Sequence, residues 1–348
     1  MYDESKGDFE MMKKMNWLRI FVLMLVLSVA LVGCGKKEAT APASPAKPAA
    51  AAGDQVLITE AFHSLLYLPL YVARDKGFFE KNNIQVSAIR AAGSGPTALA
   101  SVLSGEAQFS VHGPEHVAFA KAKGGETRAL SAVANSAPVW VLAKKGVTIK
   151  SPQDFKGKKI VVGLAPTTSN TLFRKLLIDN KIDAKTDLTI TEVQNGSELG
   201  PVLANQADVA IVYEPQADQG VAQGLEVVYD FTKIYPDFAF STTNASLKLI
   251  KEKPELVTRF VKAMEESLAY IHANPAEAQA VARKEFPNMA PDVVNKAVKR
   301  MIDSNVYLPK GLVTESAYKS AIEVQKFIGN LKTDIPYGDI VDPSFTKK

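Results

Sequence analysis

The chain has 348 residues, 47% hydrophobic and 22% charged, which is the composition of an ordinary globular protein with one large or two smaller domains. Its 41 Lys and Arg residues against 37 Asp and Glu residues give a net charge of +4, too dilute over this length to indicate nucleic-acid binding. The single cysteine, Cys34, excludes intramolecular disulfides and the zinc or iron–sulfur sites that need several cysteines.

The N-terminal segment has the order of a secretory signal peptide. An apolar run at residues 20–31 follows basic residues and is short for a helix that must span a hydrocarbon core of about 30 Å. Small residues precede Cys34, and this pattern resembles the lipobox of bacterial lipoproteins. The resemblance implies that residues 1–33 are a cleaved leader and that Cys34 carries acyl chains that anchor the protein. An uncleaved signal anchor is the alternative, and Met1, Met12 and Met15 all stay open as the start.

Residues 34–53 comprise the cysteine and a segment rich in alanine, proline and lysine. This segment has no apolar periodicity and is predicted to be a flexible linker. It would let a folded body stand away from the membrane.

After the linker, β-branched runs alternate with amphipathic helical segments, a pattern that predicts an α/β fold with mainly parallel sheets. The predicted strands cover residues 56–59, 84–89, 108–111, 139–143, 159–163, 188–193 and 209–212. Helices are predicted at 68–76, ending at Gly77, at 97–104, and after the Thr-Thr-Ser capping segment at 167–169, with an apolar stripe at 172–177. From Pro254 the chain is predicted to be helical, with further helices at 276–284, 292–303 and 314–328 that pack against a lobe.

A strand–loop–helix pattern occurs twice, about one hundred residues apart. The Gly-Ser-Gly loop at 93–95 and the strand at 108–111 correspond to the Asn-Gly-Ser loop at 195–197 and the strand at 209–212. Val-Leu pairs and alanines recur at matching positions between loop and strand. The repeat predicts two similarly connected α/β lobes.

Several motifs resemble those of the solute-binding proteins for sulfonates, nitrate and thiamine precursors that serve ABC importers. They are YLPLYVARDKGFFE at 67–80 and shorter matches at 93–96, 103–107, 151–160 and 207–210. The resemblance spans about residues 55–264. It implies a two-lobed type II periplasmic-binding-protein fold with crossover strands near 139–145 and 238–243 and a ligand in the cleft. Lobe 1 would comprise residues 54–144 and 243–348, the latter mostly helical, and lobe 2 residues 145–242.

The loops that follow the strands are the predicted ligand site, because ligands of open α/β sheets bind at the carboxyl ends of strands. Hydroxyl, amide and glycine residues dominate these loops and suit an anionic or strongly hydrogen-bonding head group. Aromatic residues are expected to stack on a planar ligand, and Glu115 and Glu214 to accept hydrogen bonds from its amino groups. The predicted ligand-binding residues are Phe62, His63, Ser64, Ser94, Gly95, His112, Gly113, Glu115, Thr167, Thr168, Ser169, Asn195, Gly196, Tyr213, Glu214 and Phe240.

Three histidines raise the question of a metal site. His112 and His116 are four residues apart, but the intervening Gly113 and Pro114 make their alignment on a helix doubtful. Together with His63 they are predicted to be neutral hydrogen-bonding residues of the cleft. We predict no metal, no cofactor and no catalytic residue.

The resemblance implies a monomeric, lipid-anchored receptor of the bacterial cell envelope that delivers a small solute to an ABC permease and its ATPase. The predicted solute resembles either an aminopyrimidine, such as a thiamine precursor, or a sulfonate. No arginine occurs in the candidate loops, which disfavours a multiply charged ligand. One alternative is an enzyme of this fold, of the thiamine-pyrimidine or menaquinone-pathway type. The single cysteine and the leader argue against those two types, and a membrane-tethered solute sensor is the other alternative.

Overall fold

Ten strands form two five-stranded sheets in the computed structural model, which describes residues 53–346. The first sheet has the order β2-β1-β3-β10-β4, and we call it, with the helices packed on it, the first lobe. Its strands are β1 (Asp54–Glu60), β2 (Ile84–Ala91), β3 (Phe109–His112), β4 (Thr127–Ala134) and β10 (Ser241–Ser246). The predictions for the leader, for Cys34 and for the linker up to residue 52 concern residues outside the described part.

The second sheet has the order β7-β6-β8-β5-β9 and forms the second lobe with its helices. Its strands are β5 (Trp140–Lys144), β6 (Lys159–Gly163), β7 (Thr189–Val193), β8 (Val209–Val212) and β9 (Leu225–Asp230). The two sheets have the same wiring, because each contains three parallel strands followed by one antiparallel strand that arrives from the other lobe. Those arriving strands are β5 and β10.

The predicted lobe boundary after Lys144 differs from the structure by one strand. Trp140–Lys144 pairs with β8 and β9, so the chain has entered the second sheet before that boundary. The chain returns to the first sheet between Asp230 and Ser241, close to the predicted boundary after residue 242.

The structure contains thirteen α-helices within residues 53–346. In the first part of the chain they are α1 (Leu68–Asp75), α2 (Phe78–Lys81), α3 (Gly95–Leu103), α4 (Pro114–Lys121), α5 (Thr168–Asp179), α6 (Leu199–Leu203) and α7 (Gln216–Ala222). The C-terminal ones are α8 (Leu247–Glu252), α9 (Pro254–Ala273), α10 (Pro275–Glu285), α11 (Pro291–Asp303), α12 (Glu315–Phe327) and α13 (Tyr337–Ile340). Across the described range, no helix has both the length and the apolar character needed to cross a bilayer.

Local sequence explains several helix ends. Gly77 follows α1 with a φ of +72°, which glycine adopts at little cost, as predicted for this helix end. Ser94 caps α3, its Oγ accepting a hydrogen bond from the Thr97 N–H. Thr167 precedes α5 as predicted, but its side chain makes no capping hydrogen bond.

The internal repeat is confirmed in three dimensions. Residues 101–112 and 201–212 have the same secondary structure and the same order of buried and exposed positions. Each segment is a helix end, an exposed turn and a fully buried strand. The repeat places the loops after β3 and β8 at corresponding points of the two lobes.

The C-terminal helices contact both lobes. The predicted apolar stripe of α9 is buried on the first lobe, where Phe260 stacks on Phe109 with ring centroids 3.7 Å apart. In contrast, α11 packs against α10 and also against α7 of the second lobe, while α12 contacts α4 and α5. Assigning all of residues 243–348 to lobe 1 therefore omits the contacts that α11 and α12 make with the second lobe.

Candidate functional site

A cavity of about 410 Å³ lies between the two lobes. Loops after β1, β2 and β3 form its wall in the first lobe, and loops after β6, β7 and β8 form its wall in the second. These are the carboxyl ends of all six parallel strands, where the sequence placed the ligand site. The predicted residues that line the cavity are Phe62, Ser94, Gly95, His112, Gly113, Glu115, Thr167, Thr168, Asn195, Tyr213 and Phe240.

Aromatic rings form one side of the cavity. Phe62 of the first lobe stacks on Tyr213 of the second, with ring centroids 5.6 Å apart and planes inclined by 22°. Phe240, in the segment that returns to the first lobe, packs edge-on against Tyr213 at 5.7 Å. The Tyr213 hydroxyl accepts a 2.8 Å hydrogen bond from the Ser169 N–H, and burial raises the pKa of this tyrosine. Ser169 therefore positions Tyr213 and does not itself line the cavity.

Glu115 is the acidic group of the cavity wall. The residue is 2% exposed, and its Oε1 accepts a 3.0 Å hydrogen bond from Thr168 Oγ1 of the other lobe. Its Oε2 has no hydrogen-bond partner among the described residues. Loss of hydration on burial raises the pKa of Glu115 to about 7.

His112 and His116 are buried beside Glu115. His112 Nε2 lies 2.9 Å from Ser110 Oγ, and its Nδ1 lies 3.0 Å from the Gly113 carbonyl oxygen. Burial lowers the pKa of His112 to about 3 and that of His116 to about 4, so both rings are neutral at pH 7. Within residues 53–346, no three His, Cys, Asp or Glu side chains are grouped so that they could hold a metal ion.

Glycines leave room for these polar side chains. A Cβ on Gly95 would lie 2.2 Å from the His116 ring, and one on Gly113 would lie 2.0 Å from the Glu115 carboxylate. In the second lobe, a Cβ on Gly163 would lie 2.1 Å from Asn195 Oδ1. A Cβ at any of these three positions would therefore displace a polar side chain of the cavity from its observed place.

Contacts join the lobes around the cavity. Besides the Thr168–Glu115 hydrogen bond, Gln194 Nε2 donates to the Gly93 carbonyl oxygen at 3.3 Å. The aromatic stack of Phe62 on Tyr213 also spans the cleft. The cleft is therefore closed in this structure.

Besides Ser169, four predicted residues do not line the cavity: His63, Ser64, Gly196 and Glu214. His63 turns away, with Nδ1 3.1 Å from Glu60 Oε1 and its ring stacked on Phe286. Ser64 caps the short 3₁₀ helix that precedes α1, and its Oγ donates to the Glu214 carbonyl oxygen across the lobes at 3.0 Å. Gly196 lies in the loop after β7, where its φ of +99° requires glycine and its N–H donates to Glu198 Oε2.

The prediction that Glu214 faces the ligand is not met. Its carboxylate is buried and lies 2.7 Å from Arg300 Nε of α11, while Arg300 Nη2 lies 2.6 Å from Asp218 Oδ1. Successive side chains of an extended segment point in opposite directions, so Tyr213 takes the cavity side and Glu214 the opposite one.

The prediction also omitted part of the cavity wall. Leu66, Gln194 and Ser241 line the cavity without having been singled out, whereas His116, predicted as a hydrogen-bonding residue of the cleft, does line it. Most are within a few positions of a predicted residue, and the recurring loops after each strand were the available signal. Ser241 was harder to find because no motif singles it out, although it opens β10, which overlaps the crossover strand implied near 238–243.

Two known proteins are similar to this chain in sequence along most of its length. YtlA of Bacillus subtilis (strain 168), named a binding protein, is 22% identical over 341 residues, covering 96% of this chain and 98% of that protein. The riboflavin-binding protein RibY of Chloroflexus aurantiacus is 26% identical over 279 residues, covering 75% of this chain and 76% of RibY.

Solved structures confirm the predicted fold. The aliphatic sulphonate-binding protein SsuA of Escherichia coli, a periplasmic protein, superposes with a TM-score of 0.69 at 15% identity, over 84% of this chain and 93% of SsuA. The desulfurization enzyme DszB is also similar, with a TM-score of 0.63 at 14% identity, over 84% of this chain and 97% of DszB. Residues 66–278 match the family described as NMT1/THI5 like, which agrees with the resemblance found in the sequence motifs. More than half of the chain lies within that match, and the protein belongs to the NMT1/THI5-like family.

Proposed function

We propose that the protein is an extracytoplasmic solute-binding protein that delivers a small organic solute, either aminopyrimidine-like or sulfonate-like, to an ABC importer. The observation that carries the proposal is the closed cavity of about 410 Å³ between two lobes, built from the carboxyl ends of six parallel strands. A cavity of this size suits a small molecule. The lobes contact each other directly around it, and we infer that a ligand enters and leaves as they separate.

The relatives support the same role. YtlA and RibY are both named as binding proteins, and RibY is named for a planar heterocyclic ligand. SsuA has the same fold and is named for sulphonates. We propose that the permease and its ATPase recognise the closed form and that the protein acts as a monomer held at the membrane by acyl chains on Cys34.

Catalysis is the competing function, since DszB has this fold and is named as an enzyme. Cysteine and lysine are both missing among the described residues that line the cavity, so two common nucleophiles are not available there. The closest hydroxyl–imidazole pair, Ser110 with His112, involves a serine that does not line the cavity. We therefore favour binding without chemical conversion.

Thermal unfolding of the purified protein tests this proposal. The protein is first freed of co-purified ligand and then mixed with aminopyrimidines, flavins, alkanesulfonates, taurine, nitrate or zinc. A solute present at one hundred times its dissociation constant stabilises the native state by about 2.7 kcal/mol, which raises the unfolding midpoint by a few degrees. We expect one solute class to produce this shift and to be recovered unchanged afterwards.

Recovery of a chemically altered solute would instead favour the enzyme. A folded, ligand-free protein that responds to no member of the panel, and whose loss leaves uptake of all of them unchanged, would contradict the transport role.

A further inference from the structure

Three side chains at the cavity wall each have a buried polar atom without a hydrogen-bond partner in the described part of the chain. These atoms are Glu115 Oε2 and His116 Nδ1 in the first lobe and Asn195 Oδ1 in the second. Buried polar atoms are normally satisfied, because leaving one without a partner costs about 1–3 kcal/mol. Their common position around one cavity indicates that a bound molecule supplies the missing partners.

The chemistry of these atoms restricts what that molecule can be. A carboxylate oxygen and an amide oxygen accept hydrogen bonds, and an imidazole nitrogen can accept or donate one. Glu115 and Asn195 belong to different lobes, so a ligand with two N–H or O–H donors can satisfy both lobes at once. Such a ligand would stabilise the closed form.

The charge of the cavity wall restricts the class of ligand further. The described lining residues include no lysine or arginine, whereas Glu115 is acidic and nearly fully buried. An anion in this cavity would lie near a carboxyl group with no cationic side chain to offset the repulsion.

The backbone maintains this arrangement. Only glycine at positions 113 and 163 leaves space for Glu115 Oε2 and Asn195 Oδ1, since a Cβ would approach these atoms to 2.0 Å and 2.1 Å. The Phe62 and Tyr213 rings add flat apolar surface to the same cavity. Aromatic surface next to hydrogen-bond acceptors suits a planar ring with donor groups at its edge.

We propose that Glu115 determines the ligand class of the cavity, which accepts an uncharged or cationic planar heterocycle bearing N–H donors and rejects sulfonates and other anions. This inference rests on the proposed solute-binding function and selects between the two solute classes that the sequence left open. Glu115 accepts hydrogen bonds from the ligand's donors directly. Its hydrogen bond with Thr168 of the other lobe links ligand binding to closure of the lobes.

The test compares two groups of probes by titration calorimetry on the purified full-length protein. Donor-bearing probes are 4-aminopyrimidine, cytosine and lumichrome, and 4-(dimethylamino)pyrimidine is the matched probe without donors on its exocyclic nitrogen. Anionic probes are methanesulfonate, benzenesulfonate and nitrate. We expect at least one donor-bearing probe to bind, at least tenfold more tightly than the dimethylated analogue and than every anion.

Two variants of the wall should change this preference in opposite directions. At pH 8, where this carboxyl with a pKa of about 7 is mostly ionised, Glu115→Gln removes the negative charge and should lower the affinity ratio of donor probe to anion at least tenfold. Asn195→Asp adds a carboxylate on the opposite wall and should raise the same ratio. Glu323→Gln, at an exposed position of α12 outside the cavity wall, is the control, and it should leave the ratio unchanged.

The outcomes separate this inference from the proposed function. Tight binding of an anion by the wild-type protein, or an unchanged ratio in both wall variants, overturns the role of Glu115 and leaves solute binding intact. If Glu115→Gln does not fold, Asn195→Asp alone decides in the same way. Failure of every probe to bind the folded wild-type protein overturns the inference and counts against the proposed function as well.

Discussion

Burial at the cavity wall changes the protonation of neighbouring side chains in opposite directions. The pKa of Glu115 is raised from 4.5 to about 7, whereas the pKa of His116 is lowered from 6.5 to about 4. Loss of hydration causes both shifts, because it penalises the charged form of either group. At neutral pH the wall therefore carries at most one partly ionised acid and two uncharged imidazoles.

Glu115 is expected to make the protein less stable as the pH rises. Its pKa is higher in the folded than in the unfolded chain, so its stabilising contribution is present below about pH 4.5 and is lost as the pH rises through 7. Glu115→Gln removes the ionisable group, and with it the loss of stability as the pH rises. We expect the variant to gain up to about 3 kcal/mol of unfolding free energy relative to wild type between pH 5 and pH 8.

Urea unfolding of both proteins at a series of pH values provides the measurement. Glu323→Gln, at an exposed position of α12, is the control and should follow the wild-type curve. A constant difference between Glu115→Gln and wild type across this range would contradict the raised pKa. His112 and His116 have lowered pKa values, so they add a separate loss of stability as the pH falls below 6.5.

Side-chain direction explains which site residues could be predicted from the sequence. The loops were found because strand ends identify them, and Phe62, Glu115, Asn195 and Tyr213 do line the cavity. Glu214 was wrongly placed at the ligand because the sequence does not tell which of two adjacent residues faces inward. Its position is fixed by Arg300, which lies 86 positions further along the chain by residue number.

At the scale of elements, the predicted strands share one property. They are rich in β-branched and apolar residues, which favour strands, although β2 and β7 lie at sheet edges and are partly exposed. Strand β10 overlaps the crossover strand that the resemblance implied near 238–243, but its own pattern does not indicate a strand, because its sequence, STTNAS, is polar although it lies between β3 and β4. Its polar side chains are satisfied inside the sheet: Thr243 Oγ1 lies 2.7 Å from Ser131 Oγ, and Asn244 Nδ2 donates to the Ser110 carbonyl oxygen at 3.2 Å.

Strands β4 and β9 were not predicted, for two different reasons. Strand β4, TRALSAVA, has three alanines and a single β-branched apolar residue and therefore lacks a clear strand signal. Strand β9, Leu225–Asp230, forms the partly exposed edge of the second sheet. Hydrophobic alternation detects neither kind of strand, so the β4 edge of the first sheet and the β9 edge of the second were not predicted.

Helix α11 is fastened to the second lobe by a buried cluster of charges. Arg300 contacts both Glu214 and Asp218, and its guanidinium lies 5.9 Å from the centre of the Trp140 ring. Removing the cation leaves two buried carboxylates without their partner, which is more costly than the pair itself is stabilising.

We therefore expect Arg300→Met to lower the free energy of unfolding by about 3–5 kcal/mol. The measurement is urea unfolding at pH 7. The double variant Arg300→Met with Glu214→Gln should recover part of this loss, because one uncompensated charge is then absent. A loss below about 1 kcal/mol for Arg300→Met would mean that the cluster does not hold α11 to the second lobe.

At the scale of the whole molecule, the proposed role requires the folded body to be held at a membrane. The structure describes residues 53–346, so this part of the proposal depends on the pattern around Cys34. Acylation at that residue would attach the protein through lipid chains, of which two or more are needed for a stable anchor.

Cys34→Ser should release the protein from the membrane. In cell fractionation, we expect the wild-type protein in the membrane fraction and the variant in the soluble fraction or as an uncleaved precursor. The mass of the mature wild-type protein should correspond to a chain that starts at Cys34 and carries acyl groups. A variant that stays in the membrane at the same mass as wild type would favour the uncleaved signal anchor.

The position of β10 also determines the order in which the lobes can be completed during synthesis. All five strands of the second sheet lie between Trp140 and Asp230, whereas the first sheet needs Ser241–Ser246 between β3 and β4. A nascent chain that has emerged as far as Asp230 contains a complete second sheet, while β4 still lacks the strand on which it pairs. Pairing between segments that are distant in sequence requires closure of a long loop and is slow. The lobe that begins first along the chain is thus the one that finishes last, and a ribosome stalled before Ser241 would present an unpaired β4 edge open to misassembly with other chains.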